Sequence, residues 1–193
     1  MTDTILARID ESCSVKRKIA EDPAFVSAIA QVAEQCAEAL SRGGKVMLAG
    51  NGGSAADAQH IAAEFVGRFK LERRPLPAIA LTTDTSLLTA VGNDYGFEEI
   101  FARQVRGLGR SGDLFVGIST SGNSPNVLRA MSACRELGVT TVGLTGKGGG
   151  EMASDSDYLL AVPSSETPRI QESHILIGHL VCELVDVRLF GES

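Results

Sequence analysis

His60 and Glu64 stand four residues apart, and that spacing is the first place where this sequence offers chemistry. On a helix it puts an imidazole and a carboxylate on one face, one turn apart, able to move protons or to hold a metal ion. Immediately upstream, Gly50-Asn51-Gly52-Gly53-Ser54 supplies a tight turn whose bare backbone lets a ligand come close. A glycine turn opening a helix is an oxyanion cradle, here set beside a proton-transfer or metal pair. A second stretch, Ser119-Thr120-Ser121-Gly122-Asn123-Ser124-Pro125, brings the hydroxyls of Ser119, Thr120, Ser121 and Ser124 to another helix start. Ser124 is a natural N-cap and Pro125 a natural first helical residue. Many donors, a positive dipole end and no aromatic bulk suit a phosphate monoester. The plainer alternative is a Ser/Thr turn that caps a helix, but so dense a set of hydroxyls favours an anion site. Near the C-terminus, Gln171, Ile175 and His179 follow at four-residue steps, so Gln171 and His179 share a broad helical face. His174 falls on an adjacent line and reads as structural.

These residues need a scaffold, and the bulk numbers allow one. A chain of 193 residues with 44% hydrophobic and 22% charged content is most simply one globular domain over 1–193, large enough for its own core. A formal charge of −6 argues against a nucleic-acid partner, which would require basic patches. An anionic ligand must therefore be attracted locally, by backbone N–H groups and a few arginines. Cys13, Cys36, Cys134 and Cys182 form no CxxC or Cys/His tract and fall in expected helices, so reduced, mostly packed thiols are expected. No apolar run reaches membrane-spanning length, and the first residues lack the pattern of a secretory signal. The expected location is the cytoplasm, with no membrane partner.

The pattern of apolar runs gives the order of elements. Residues 3–20 read as an amphipathic helix with Ile5, Ile9 and Cys13 on one stripe. A second helix opens at Asp22-Pro23, carries Phe25, Ile29, Val32, Cys36 and Leu40, and ends at Gly43-Gly44. This N-terminal helical segment (residues 1–43) either caps the domain or pairs with another subunit, and a sheet domain does not need both helices for itself. Strands are then expected at Lys45–Ala49, Ala78–Leu81, Asp113–Ile118, Thr140–Leu144 and Tyr158–Val162. Helices are expected between them at 55–69, 86–92, 98–107 and 125–137, with a short turn near 150–153. Thr167-Pro168 reads as the cap of a long last helix ending at Gly191. The expected class is α/β: a three-layer α/β/α arrangement around a parallel sheet of about five strands, flavodoxin-like, with ligands outside the strands' carboxyl ends. The Lys70–Arg74 cluster is expected to be a solvated loop, and Arg169 to form a structural ion pair.

Two nucleotide motifs are disfavoured. Gly50 to Ala55 fits G-x-G-x-x-A, yet the next acidic residue at a strand end, Asp84, lies too far along to bind a ribose. Neither glycine loop carries a Walker lysine.

Together, Gly50–Ser54, the His60/Glu64 pair, Val91-Gly92-Asn93-Asp94-Tyr95-Gly96, Ser119–Ser124, Leu144-Thr145-Gly146 and Arg169-Ile170-Gln171-Glu172 with His179 resemble the phosphoheptose isomerases of the sugar-isomerase (SIS) fold. The resemblance covers nearly the whole chain. It implies an aldose–ketose isomerase for sedoheptulose 7-phosphate, on the route to the ADP-heptose of lipopolysaccharide core or surface glycans. It also implies a homotetramer with active sites at subunit interfaces and one zinc ion per site. Asn51, Gly52, Gly53, Ser119, Thr120, Ser121 and Ser124 would then bind the sugar phosphate, with Asn93 and Asp94 nearby. His60, Glu64, Gln171 and His179 would hold zinc. Our assignment adds Ser54, Glu64 and Gln171 to the substrate-binding set, and makes Glu64 and His179 the catalytic pair. Arg68, one turn past Glu64, either meets substrate or pairs with a neighbour. The rival class is a non-catalytic SIS module that binds a protein or senses a sugar phosphate; it predicts an eroded catalytic pair, whereas Glu64 and His179 are both present. A pentose-phosphate isomerase of the same fold is a third reading, disfavoured by the helical N-terminal segment and the His/Glu spacing.

Overall fold

The computed structural model describes residues 1–191. Five strands, β1 (Val46–Gly50), β2 (Ala78–Ala80), β3 (Leu114–Ile118), β4 (Thr140–Thr145) and β5 (Tyr158–Ala161), pair in parallel in the order β2-β1-β3-β4-β5. Every residue of β1 and β3 is buried, as continuous apolar runs between two helical layers must be. One layer comprises α1 (Thr2–Ala20), α2 (Pro23–Ser41), α3 (Gly53–Val66) and α8 (Thr167–Phe190). The other comprises α4 (Thr85–Tyr95), α5 (Ile100–Leu108), α6 (Pro125–Leu137) and the short α7 (Met152–Asp155). The expected three-layer α/β/α class is the observed one.

Several boundaries differ from expectation for local reasons. Helix α3 begins at Gly53 because Gly52, at φ 56°, closes the turn directly onto it. It stops at Val66 rather than 69, where Gly67 leaves the helical region. Helix α4 runs on to Tyr95, opened by Asp84, whose carboxylate accepts the Leu87 N–H at 2.9 Å. Asp22 caps α2 as expected, accepting from Ala24 and Phe25. Thr167 is not a cap: it is already inside α8, and Glu166 precedes it without a side-chain bond. The α1 stripe also differs, since Val15 and Ile19 are buried while Ile5, Ile9 and Cys13 are exposed. The other three cysteines are buried free thiols.

Helices α3 and α8 pack side by side and in the same direction. Gln171 lies against Gly53, Gly178 against Ile61, and Asp186 is joined to the end of α3 through Arg73. A Cβ on Gly178 would sit 2.5 Å from Ile61 Cδ1, so the absence of a side chain there sets how near the helices come.

At the far end stands Arg73, and here the solvated-loop expectation for Lys70–Arg74 is wrong. Its side chain is 2% exposed and its Nε donates to Asp186 Oδ1 at 2.8 Å. Its remaining N–H groups donate to the carbonyls of Glu64, Phe65, Gly67 and Arg74. The guanidinium thus satisfies the last carbonyls of α3 and ties that helix to α8, using donors that a lysine does not have. Lys70, by contrast, makes an exposed pair with Glu183. Removing one partner of a buried ion pair costs about 3–5 kcal/mol. Arg73→Ala is therefore expected to lower unfolding free energy by about that much in urea titration; an unshifted midpoint would remove the clamp.

Candidate active site

The two loops singled out by the sequence sit at the carboxyl ends of β1 and β3, where the strand order reverses direction, and His60, Glu64 and His179 come together further along α3 and α8. His60 Nε2 lies 3.1 Å from Glu64 Oε1 and 3.4 Å from His179 Nε2. The ligand atoms of His60, Glu64 and His179 all fall within 4.8 Å of one another. Bonds of about 2.0–2.1 Å to a tetrahedral ion place neighbouring ligand atoms about 3.3 Å apart. Two ring nitrogens and a carboxylate oxygen converging at these separations fit a divalent cation of the zinc type. The rings of His60 and His179 meet edge to face, with centroids 5.0 Å apart, and Phe69 stacks on His179 with centroids 5.4 Å apart. Phe69 was not anticipated; only its place just after the glycine that ends α3 hinted at it.

Gln171, the fourth expected ligand, sits two turns before His179 with its amide over Gly53, where any side chain on Gly53 would collide with it. It therefore lies at the glycine-turn end of α3, and the triad lies further along that helix. Asp57, one turn before His60, adds an unforeseen carboxylate. Burial raises its pKa above the ordinary value and the neighbouring His60 opposes that rise, while its Oδ2 has no hydrogen-bond partner.

The two loops form a second cluster. Ser119 is buried, and its hydroxyl lies 2.8 Å from that of Ser124 and 3.4 Å from that of Ser121. Ser124 occupies the N-cap position of α6, but its side chain makes no cap hydrogen bond, contrary to expectation; it turns to Ser119 instead. Gly52 opens α3 without a side-chain cap as well. Two helices thus begin side by side with no capping oxygen on either, which leaves positive dipole ends open to an anion. The serine loop is buttressed from behind: the Gly146 N–H donates to Thr120 O and the Glu151 N–H to Asn123 Oδ1. Gly122 and Gly149 approach so closely that neither backbone leaves room for a side chain at Gly122. Ser54 is buried beneath the first turn, against Gly50.

Asn51 is placed differently from expectation. Its amide nitrogen and oxygen are both engaged by Asn126. Asn93 and Asp94 lie exposed on the last turn of α4, bonded to each other at 2.8 Å and, among the described residues, to neither loop nor triad. Arg68 is exposed and faces Glu72 at 3.6 Å, the neighbour-pairing alternative. Arg169 forms ion pairs with Glu172 and Glu11, as expected.

A three-layer parallel fold with two uncapped helix starts and a His/Glu/His cluster is the arrangement in this chain, and its residues 12–146 match the SIS domain family. The phosphoheptose isomerase of Aneurinibacillus thermoaerophilus is 56% identical over 190 residues, covering 98% of this chain and 96% of that one. That of Nitratidesulfovibrio vulgaris is 64% identical over 162 residues, 84% of this chain and 78% of its own. The solved phosphoheptose isomerase of Neisseria gonorrhoeae superposes with a TM-score of 0.90 at 48% identity, over 96% of this chain and 98% of that one. This chain belongs to the phosphoheptose isomerase family of SIS-domain proteins.

His174 behaves as a structural residue. It is fully buried, its Nε2 lies 3.0 Å from Thr145 O, and burial pushes its pKa from 6.5 down to about 4. A histidine held neutral in the folded state costs nothing above pH 6.5. As pH falls from there toward about 4, the unfolded chain takes up the proton and the folded chain does not. Stability is therefore expected to decline through that window, by about 3 kcal/mol at most. The loss in His174→Gln should be shallower; parallel urea-midpoint profiles for the two proteins would show that another group is responsible.

Proposed function

We propose that this protein interconverts D-sedoheptulose 7-phosphate and D-glycero-D-manno-heptose 7-phosphate through an enediol, the first step toward ADP-heptose for lipopolysaccharide core or surface glycans. The observation that carries the reading is the pairing of two open helix starts with a His/Glu/His cluster on one helix pair. The seven residues from Gly53 to His60 rise about 10 Å along α3. At about 1.2 Å per bond of an extended chain, eight bonds from C1 to phosphorus in an open seven-carbon 7-phosphate span about the same length. A phosphate held at the helix starts therefore brings the C1–C2 end of the sugar to the triad.

The phosphate would sit among Ser119, Thr120, Ser121, Ser124 and the backbone at Gly52, Gly53 and Ser54. Remote binding of this kind fixes the reacting carbons in register. Glu64 would move the proton between C1 and C2. Its Oε1 faces His60 and its Oε2 is clear of that contact, so one oxygen can be held while the other acts as base. His179, steadied by Phe69, would move the hydroxyl proton. His60, Glu64 and His179 would hold zinc, one per site, and Gln171 would join them by swinging its amide along α3 away from Gly53; when bound, zinc would polarise the carbonyl and stabilise the developing oxyanion. Asn93, Asp94 and Arg68 would reach substrate from a neighbouring subunit or after local rearrangement of the exposed turns that carry them.

The same proposal makes residues 1–193 one SIS domain and the assembly a homotetramer, with the N-terminal helices (residues 1–43) as a contact and active sites at subunit interfaces. In support, Ile5, Leu6 and Ile9 on α1 and Leu180, Leu184 and Val187 on α8 are exposed apolar side chains. The compartment we assign is the cytoplasm, in keeping with four free cysteines.

Incubation with sedoheptulose 7-phosphate in D₂O is expected to yield aldoheptose carrying deuterium at C2, and a chelator is expected to suppress it; no aldoheptose without chelator would refute the reaction, and full turnover with chelator would refute the metal. Glu64→Gln should abolish turnover while sugar-phosphate binding persists, and normal turnover would remove Glu64 as the base. Ser121→Ala combined with Ser124→Ala should raise KM about 10²-fold or more, since each lost donor to a charged group is worth about 1.5–3 kcal/mol. A wild-type KM would place the phosphate elsewhere.

A further inference from the structure

The glycine turn after β1 and the serine loop after β3 are separated by about seventy residues of chain, yet one interaction fastens them together. Asn51 Nδ2 donates to Asn126 Oδ1 at 2.9 Å, and Asn126 Nδ2 donates back to Asn51 Oδ1 at 2.8 Å. The two amides close a ring, each using one N–H and its oxygen on the other. Asn126 is 2% exposed and stands second in α6, directly behind Ser124-Pro125. Asn51 directly precedes Gly52, the residue whose positive φ turns the chain into α3, and Asn51 O accepts the Ser54 N–H that closes this turn. The amide pair thus bridges the two helix starts that lack capping side chains.

The geometry points to Asn126 as a positioning residue for the isomerase reaction: acting through Asn51, it locks the glycine turn and the serine loop into one cradle of fixed width. This rests on the function proposed above. A phosphate bound across both loops is held at one depth only if the loops cannot move apart. A shift there is carried along the sugar to the carbons facing Glu64. The side-chain chemistry suits the task. Two asparagines are short, complementary in donor and acceptor, and uncharged, so they fasten the loops without placing a negative charge beside a dianion. An aspartate at 126 would lose the donor to Asn51 Oδ1 and add that charge.

The test compares Asn126→Ala, Asn126→Asp, Asn51→Ala and the double alanine variant. It measures kcat and KM for sedoheptulose 7-phosphate, the inhibition constant of inorganic phosphate, and the melting temperature. Each alanine variant is expected to lower kcat/KM about 10²-fold, as misplacement by about an ångström does, and to weaken inhibition by phosphate. The double variant should be no worse than either single one, because both remove the same link. Should Asn126→Ala fail to fold, the near-isosteric Asn126→Asp and the partly exposed Asn51→Ala carry the test. A lowered melting temperature with unchanged KM, kcat and phosphate inhibition would make the pair merely structural and overturn the proposal, as would losses that multiply in the double variant. If the wild-type chain does not isomerise the sugar at all, the functional reading fails. The phosphate-inhibition arm is then replaced by direct phosphate titration, and equal affinities in wild type and variants would overturn the amide link separately.

Discussion

The closeness of α8 to α3 is the constraint on which the site depends. His60 and Glu64 belong to α3 and His179 to α8, so a cluster with all ligand atoms within 4.8 Å exists only while those helices hold their separation and register. Three contacts along the seam set both. Gly53 leaves space for the Gln171 amide, Gly178 leaves space for Ile61, and Arg73 joins the last turn of α3 to Asp186. The middle contact lies beside His179 in sequence, so the glycine that permits the approach also delivers the imidazole. The last contact is buried and charged, and Asp186 Oδ2 remains without a partner. Such a pair adds little net stability over well-packed apolar residues, but its loss leaves a stranded charge; its value here lies in fixing register.

A parallel sheet supplies the complementary constraint at the other end of α3. Because β1 and β3 are neighbours and their following helices lie on opposite faces, two helix starts are brought together at one point of the sheet. Neither start is closed by a capping side chain, although Ser124 stands where one is usual. Leaving the capping bond unmade costs about 1 kcal/mol at Ser124, and only a few tenths where glycine holds the position at Gly52. A structure that keeps both open, and turns the Ser124 hydroxyl onto Ser119 instead, has its donors arranged for something outside the chain. With a formal charge of −6 overall, this local field is what an anionic ligand has to find.

How much of this was legible in the sequence follows from which physical signals are local. Strand order, helix positions and both loops were readable, because apolar runs, glycines and Asp-Pro or Ser-Pro pairs act within a few residues. The His60/Glu64 pairing was readable because helical period fixes it, and the addition of His179 rested on a resemblance rather than on spacing. What stayed hidden depends on tertiary neighbours. Nothing within the Lys70–Arg74 cluster distinguishes buried Arg73 from exposed Lys70; the difference lies in Asp186, more than a hundred residues away. The partnership of Asn51 with Asn126, 75 residues on, had no local signal at all. Ile5 and Ile9 have helical spacing suited to a buried stripe, and no neighbour within the described chain covers them.

The two ends of α3 also sort a substrate electrostatically, which ties the fold to the orientation of the chemistry. At the amino end the helix dipole is positive, and it is reinforced by the start of α6. Further along the same helix stands Glu64, partly buried, beside the imidazoles of His60 and His179. A phosphate dianion is drawn to the first end and repelled from the second, whereas a divalent cation is drawn to the second. On the function proposed above, an open-chain sugar phosphate would enter in one sense only, with its phosphate at the loops and its carbonyl end among carboxylate and imidazoles. The rigid rise of one helix, rather than a mobile loop, measures the distance between the two.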